Sequence, residues 1–344
     1  MEHDCISRRI SSQELCASQA NTSLMKSKSP KALDALCAEN NKIPGIIFRI
    51  SYWTAEIYGF GRHIREYACY PKWLPLCINT DHGPGFRDTP LPSELSSSAP
   101  VQFYHAPSRV KSWPTFSGKA CYCLFSPYVF FRRKAGIVQS AMAKGTIAFP
   151  AHTTSSIDDV SNIQHYIEQL KALPDVYQPV SICLHVSDIC KGLHREFSDN
   201  GFEVFSAGTV QDERFAENFY QIIRNFKYAT SNIGGGYLYY CVEMGLPFFL
   251  YGNEPNYINR GDQNIENGQY TSYKQHSAYQ EMEALFSRPV LEITPAQVEF
   301  VGTGLGLRDG ISRTAMSLIL YGTLLKCIFS LRWLKYLASR MNSK

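Results

Sequence analysis

The sequence is short of charge. Asp, Glu, Lys and Arg make up 19% of it, against roughly 25% in a typical soluble domain. Basic and acidic residues nearly cancel, 34 against 30, for a net charge of +4. So weak and dispersed a positive balance does not announce a nucleic-acid binder. Long apolar runs are also missing, since no uncharged stretch reaches the roughly 18 residues needed to span a bilayer. The polar start MEHDCISRRISSQEL lacks the apolar segment of a secretion signal. A cytoplasmic protein that does not cross the membrane is the expectation.

Several chemical signatures are absent too. There is no Gly-Lys-Ser/Thr phosphate loop, which disfavours ATP-driven phosphoryl transfer, and no Gly-x-Ser-x-Gly elbow of a serine hydrolase. No Asp-x-Asp pair occurs, as a metal-dependent sugar transferase with a single Rossmann domain would use. The 11 cysteines are odd in number and show no zinc spacing. Only Cys121-Tyr-Cys123 is close-set, and on a strand both thiols would share one face. Free thiols in a reducing compartment are expected. No internal repeat or low-complexity segment is visible.

Aromatics fill the space that charge leaves: 20 Phe, 21 Tyr and 4 Trp account for 13% of residues, within a hydrophobic total of 44%. That composition supports wide buried layers, or an apolar surface that meets something else. A length of 344 residues suits about two domains. Residues 1–42 read as a poorly ordered or loosely docked leader. Short β-branched or aromatic runs follow at 46–50, 74–79, 101–105 and 120–125. After Arg132-Arg133-Lys134 a second series runs through 146–150, 180–186, 202–206, 228–232 and 247–251. Helical periodicity lies at 158–173, 214–226 and 236–245. Such alternation predicts α/β architecture with parallel sheets, as two Rossmann-like domains, 43–144 and 145–310, facing a cleft.

The segment 311–344 differs. Leu320, Leu324, Ile328, Leu331 and Leu334 lie along one helical stripe, with Lys326, Lys335 and Arg340 elsewhere on the wheel. This amphipathic segment either packs back across the domains or rests as a basic anchor on an anionic membrane surface. Gly322 is expected to bend it or to separate two helices.

Ligands of open parallel sheets sit at the carboxyl ends of the strands. Asp81-His82-Gly83-Pro84-Gly85 follows one apolar run directly, and either Asp81 or His82 would serve as a general base there. A turn-capping Asp81 with His82 packed beside it is the structural alternative. His152-Thr153-Thr154-Ser155-Ser156 offers hydroxyls and an imidazole to a phosphate at a helix start, or a cap for that helix. Ser231-Asn232-Ile233-Gly234-Gly235-Gly236 is a third such turn, with glycines that permit close backbone approach. Glu243 could contact a ligand sugar or simply face solvent. His185, Asp188 and Glu254 also follow strands and are lesser candidates, each with an ordinary polar strand exit as the alternative. Arg132 and Arg133 would meet phosphate or lipid headgroups, or end a helix. No metal site is expected.

Asp81-His82-Gly83, the His152-Thr-Thr-Ser turn and Ser231-Asn232-Ile-Gly-Gly, followed by Glu243-Met-Gly245-Leu-Pro247, together resemble the twin-Rossmann (GT-B) bacterial glycosyltransferases of capsule and lipopolysaccharide biosynthesis. Members that handle cytidine-activated sugars are among those it resembles, and the likeness covers residues 45–255. It implies a metal-independent, inverting transfer from a nucleotide sugar, with a CMP-linked donor among the candidates, to a nascent glycan or glycolipid. Asp81 or His82 would be the base, and His152, Ser231 and Asn232 would hold the donor phosphate. No cofactor is implied, nor any nucleic-acid partner. A cytoplasmic or inner-membrane-associated location would follow. Two departures stand out: His152 precedes Thr153 rather than the proline of sialic-acid transferases, and the ribose-binding Glu would fall near Tyr239 or Tyr240. A CDP-polyol phosphotransferase of teichoic-acid type, or a non-transferring, epimerase-like sugar-nucleotide protein, are the alternatives.

Overall fold

The computed structural model describes residues 28–81 and 83–342. The first sheet comprises β1 (Asn79–Thr80), β2 (Val101–Tyr104) and β3 (Ala120–Cys123), all parallel and in the order β1-β2-β3. The second holds β4 (Thr146–Ala148), β6 (Val180–Cys183), β7 (Glu203–Phe205), β8 (Tyr228–Ser231) and β9 (Phe248–Leu250). It is parallel throughout, in the order β7-β6-β4-β8-β9. Every residue of β2, β6 and β8 is buried, the pattern of strands covered on both faces. A small antiparallel sheet, β11-β10-β5, pairs Tyr257–Asn259 (β10) with Ile157–Asp159 (β5) and Gly268–Gln269 (β11).

This topology positions the site. Chain order in the second sheet reverses at β4, so a crevice opens beyond the carboxyl ends of β4 and β8, where ligands of such sheets bind. The turns at 149–156 and 232–236 lie there. The helix Gly236–Met244 starts from an extended Gly235 and ends on Gly245 at φ 99°, a left-handed cap that favours glycine. One buried cluster joins Ile78, Phe103 and Leu124 of the first sheet's layer to Ile147, Ala229 and Tyr240 of the second. Each large apolar side chain buried there contributes about 1.5–3 kcal/mol. Phe86 stacks on Tyr239 and Phe300, with ring centres 5.3 and 6.4 Å apart, which clamps the loop after β1 onto the second half.

The structure corrects several expectations. The run 46–50 is the helix Ile46–Ile50, with none of its residues buried; a short apolar run has no decisive period. Within 74–79 only Asn79 enters the ladder, and Pro75 lacks the N–H that a ladder needs. Helix does not begin at 158, because Ile157–Asp159 pairs with β10. It begins at Ile163, capped by Asn162, whose side chain accepts from the His165 N–H, so Ser156 caps nothing.

The leader is not loose over its described part: Pro30–Asn40 is a helix with Leu33 and Leu36 buried against Ile182, Val186 and Phe197. Its docking brings Cys37 to Cys190, Cα atoms 5.5 Å apart, in a disulfide, so not all thiols are free. Seven other described cysteines are. Gly322 does not bend the C-terminal segment. Arg313–Ile328 runs through it, and the break falls before Leu331–Asn342, at 86°. The expected single stripe is therefore divided: Leu320 is buried, while Ile328, Leu331 and Leu334 are exposed.

Candidate functional site

A cavity of about 620 Å³ is lined from both sheets, a volume suited to a small-molecule ligand. Asp81 and the loop 83–87 follow β1. Phe149, Pro150, His152 and Thr154 follow β4, His185 follows β6, and Gly236 and Tyr237 follow β8. Tyr58, Glu94, Arg109 and Tyr128 also line it, as do Asp262, Asn264 and Ile265.

The first-sheet wall carries a bound charge network. Asp81, its side chain 7% exposed, accepts the His105 backbone N–H at 3.0 Å through Oδ2 and His105 Nδ1–H at 2.6 Å through Oδ1. Arg109 approaches the same carboxylate at 3.8 Å. Burial alone would raise the Asp81 pKa, but the charge and hydrogen bonds of His105 and the charge of Arg109 outweigh it and hold the group below the usual carboxylate value. Arg109 itself donates to Glu94 at 2.8 Å and lies 3.7 Å above the Tyr104 ring. Glu94 also accepts from Tyr104 Oη and the Leu91 N–H.

Arg87, on the same wall, makes no ion pair among the described residues, and its buried Nε has no hydrogen-bond partner there. Its loop is fixed on both sides: Phe86 stacks as described, and Asp88 accepts the N–H of Ser277 at 2.6 Å and its hydroxyl at 3.1 Å. Burial, helped by the neighbouring charge of Arg109, lowers the Arg87 pKa.

The second-sheet wall is less charged. His185 accepts the Ser187 N–H on Nδ1 at 3.2 Å, so its ring proton sits on Nε2, 3.0 Å from Tyr58 Oη. Burial, with a smaller effect from the charge of His152, pulls the His185 pKa down to about 3. It is neutral at physiological pH. Tyr58 comes from the first half and sits at φ 56°, a left-handed conformation that costs a tyrosine about 1–3 kcal/mol. Its N–H donates to Val210 O at 2.7 Å, and Tyr128 Oη donates to its carbonyl. The strained residue thus bridges the two halves at the cavity.

The proposed contacts divide sharply in placement. Asp81, His152, Thr154 and His185 reach the cavity; His82 lies outside the described residues. Thr153 gives both its N–H and its hydroxyl to Asp188, at 2.9 and 2.8 Å. Ser155 is exposed, away from the lining. Ser231 Oγ is buried against Tyr237 Oη, 2.8 Å away, and accepts the Ile233 N–H. Asn232 accepts the Ala151 N–H at 2.8 Å and donates to Asn253 O at 2.9 Å, tying the β4 and β8 turns together. A Cβ on Gly234 would meet Met282 and Phe86 at 2.5 and 2.9 Å, and one on Gly235 the Tyr237 ring at 2.5 Å. Those glycines serve packing, and Gly236 is the one that faces the cavity. Glu243 is held by Arg132, at 2.7 Å through two bonds, and by Arg133. Glu254 is an exposed partner of Lys274. Neither lines the cavity.

Sequence reasoning missed Tyr58, Arg87, His105 and Arg109. His105 ends a strand run and was open to the same rule that singled out Asp81. Tyr58 and Arg109 carry no local signal, because long-range packing brings them in.

Among the described residues no group of three or more His, Cys, Asp or Glu is placed to hold a metal ion. No protein-family profile matches the chain, and no curated protein matches it in sequence. Among solved structures it is similar to S. aureus MnaA, in a co-structure with UDP, at 10% identity and a TM-score of 0.36, over 69% of this chain and 65% of that one. Anabaena HepE, in complex with UDP-glucose, matches at 11% identity and a TM-score of 0.28, over 66% and 64%. The chain thus spans just under two thirds of the length of either.

Proposed function

We propose that the protein is an inverting glycosyltransferase of twin-Rossmann type, moving a sugar from a nucleotide sugar to a nascent capsular or lipopolysaccharide glycan. One observation carries this reading: a cavity at the carboxyl ends of two parallel sheets, with a buried ionised carboxylate on one wall and imidazoles and a helix start on the other. The acceptor hydroxyl sits against Asp81 and the donor phosphate against His152 and the amides at Gly236. As the acceptor oxygen bonds to the anomeric carbon, the bond from that carbon to the phosphate oxygen breaks. The hydroxyl proton passes to Asp81 or to His82. Asp81 is a weak base because His105 and Arg109 stabilise its charge. It is suited to orienting the hydroxyl and to taking a proton late, once the new bond has acidified it. Arg87 and the helix start stabilise the negative charge that grows on the leaving phosphate.

The test is a calorimetric panel of CMP, CDP, UDP and GDP with the full chain, followed by incubation with the nucleotide sugars of whichever nucleotide binds. Saturable binding and transfer of labelled sugar to a glycan acceptor are expected. A chain that binds no nucleotide overturns the reading. So does label from a CDP-polyol entering polymer as a phosphodiester, or a sugar epimerised without transfer.

A further inference from the structure

The two C-terminal helices each present two apolar faces, and only one of each is covered. On Arg313–Ile328 the residues Met316, Leu320, Thr323 and Cys327 are buried, while Leu318, Tyr321, Leu325 and Ile328 are 70, 42, 58 and 46% exposed. Both sets repeat at the helical spacing, so they are stripes on different sides of one helix. The next helix repeats the arrangement. Trp333 is buried and Tyr336 stacks on Tyr52, its hydroxyl donating to Ser51 O at 2.7 Å. Leu331, Leu334 and Met341 are 78, 51 and 55% exposed. Between the helices, at the 86° break, Phe329 is 85% exposed. Eight of the twenty exposed large apolar side chains among the described residues fall in 318–341, a concentration that soluble surfaces rarely leave open.

Charge identifies the occupant. No Asp or Glu follows Asp309 in the sequence, whereas six Lys and Arg do. Lys326, Arg332 and Lys335 are exposed and make no ion pair among the described residues. On Leu331–Asn342 the exposed Lys335 lies beside Leu331 of the open stripe and away from the buried one, and the exposed Arg332 falls between the two. Apolar side chains flanked by unpaired cations match an anionic lipid surface, where the chains enter the acyl boundary and the cations meet phosphates. No helix among the described residues is long and apolar enough to cross a membrane alone.

We propose that this helical elbow, with Phe329 at its tip, seats the protein on an anionic lipid bilayer as an interfacial contact. The proposal stands apart from the reading of the cavity, since it uses none of its residues and needs no nucleotide.

Co-sedimentation of the full chain with phosphatidylcholine vesicles, with and without phosphatidylglycerol, tests it. Wild type is expected to pellet with the anionic vesicles, less so as salt rises. Phe329→Ser with Leu331→Ser should weaken partitioning at least about tenfold. Lys326→Gln, Arg332→Gln and Lys335→Gln together should weaken it about a hundredfold on anionic vesicles and remove most of the salt dependence. These side chains are exposed, and thermal unfolding checks that the variants fold like wild type. Wild type remaining in the supernatant overturns the proposal, as does unchanged pelleting of the Ser variant. A dimer in sedimentation velocity that the same Ser variant dissolves also overturns it, in favour of a second copy as the occupant.

Discussion

The two walls of the cavity use polar atoms in opposite ways. On the first-sheet wall, Asp81, His105, Arg109, Glu94 and Tyr104 bind one another through charged side chains, while Asp81, Glu94 and Arg109 line the space together with Arg87, which has no ion pair among the described residues. On the second-sheet wall the hydroxyl- and amide-rich turns fold back on themselves: Thr153 to Asp188, Ser231 to Tyr237, Asn232 to Ala151 and Asn253. What that wall offers a ligand is imidazole, aromatic surface and the start of a helix. Polar residues of one wall thus act by charge, and most of those on the other act by shape. Variants on the two walls should separate into changes of rate and changes of stability.

The largest effect is expected from Asp81→Asn. The isosteric amide keeps the volume but removes the negative charge that His105 and Arg109 stabilise. Transfer should fall by about two to three orders of magnitude, or ~3–4 kcal/mol, with nucleotide affinity little changed. A steady-state kcat measured beside a calorimetric Kd checks it. Full activity in this variant would move the base to His82 or elsewhere, and the contrast between the walls would lose its catalytic meaning.

Asn232→Ala makes the opposite case. It orphans the buried Ala151 N–H and removes the tie to Asn253, so about 2 kcal/mol of stability should go. Urea unfolding reads this directly. If nucleotide affinity collapses while stability holds, Asn232 touches ligand and the second wall is chemical after all. Arg87→Gln tests the first wall at a smaller scale. With no ion pair to lose among the described residues, the variant should unfold like wild type yet bind the nucleotide about tenfold more weakly, ~1.4 kcal/mol.

These pairs also show where the sequence could be read and where it could not. Position after a strand is a local property, and it placed Asp81, His152 and His185 at the cavity. Whether a hydroxyl faces the ligand or the chain is not local. Ser231 turns inward because Tyr237, six residues on at the start of the next helix, takes its Oγ, and Thr153 because Asp188 is buried below it. Tyr58 meets His185 across 127 residues of sequence, a contact that no periodicity announces. The fold divides the same way. Buried strand runs such as 101–104 and 180–183 declared themselves, whereas 46–50, equally apolar, became a helix because no strand pairs with it.

The smallest effect concerns pH and the second wall's neutral imidazole. His185 titrates near 3 in the folded chain, against about 6.5 when unfolded. Between these values the unfolded state binds the extra proton, so stability from this site is complete above about pH 6.5 and is lost progressively as pH falls toward 3. From pH 7 to 5.5 the loss is about 1 kcal/mol. His185→Gln keeps a side-chain acceptor for the Ser187 N–H and a donor for Tyr58 but cannot titrate in this range. Urea unfolding of wild type and variant at the two pH values should therefore show a shift in the first that is absent in the second. An equal shift in both would mean that His185 takes up its proton without disturbing Tyr58. The strained contact joining the halves would then not depend on the neutral ring, and the second wall would carry charge at low pH as the first does at neutral.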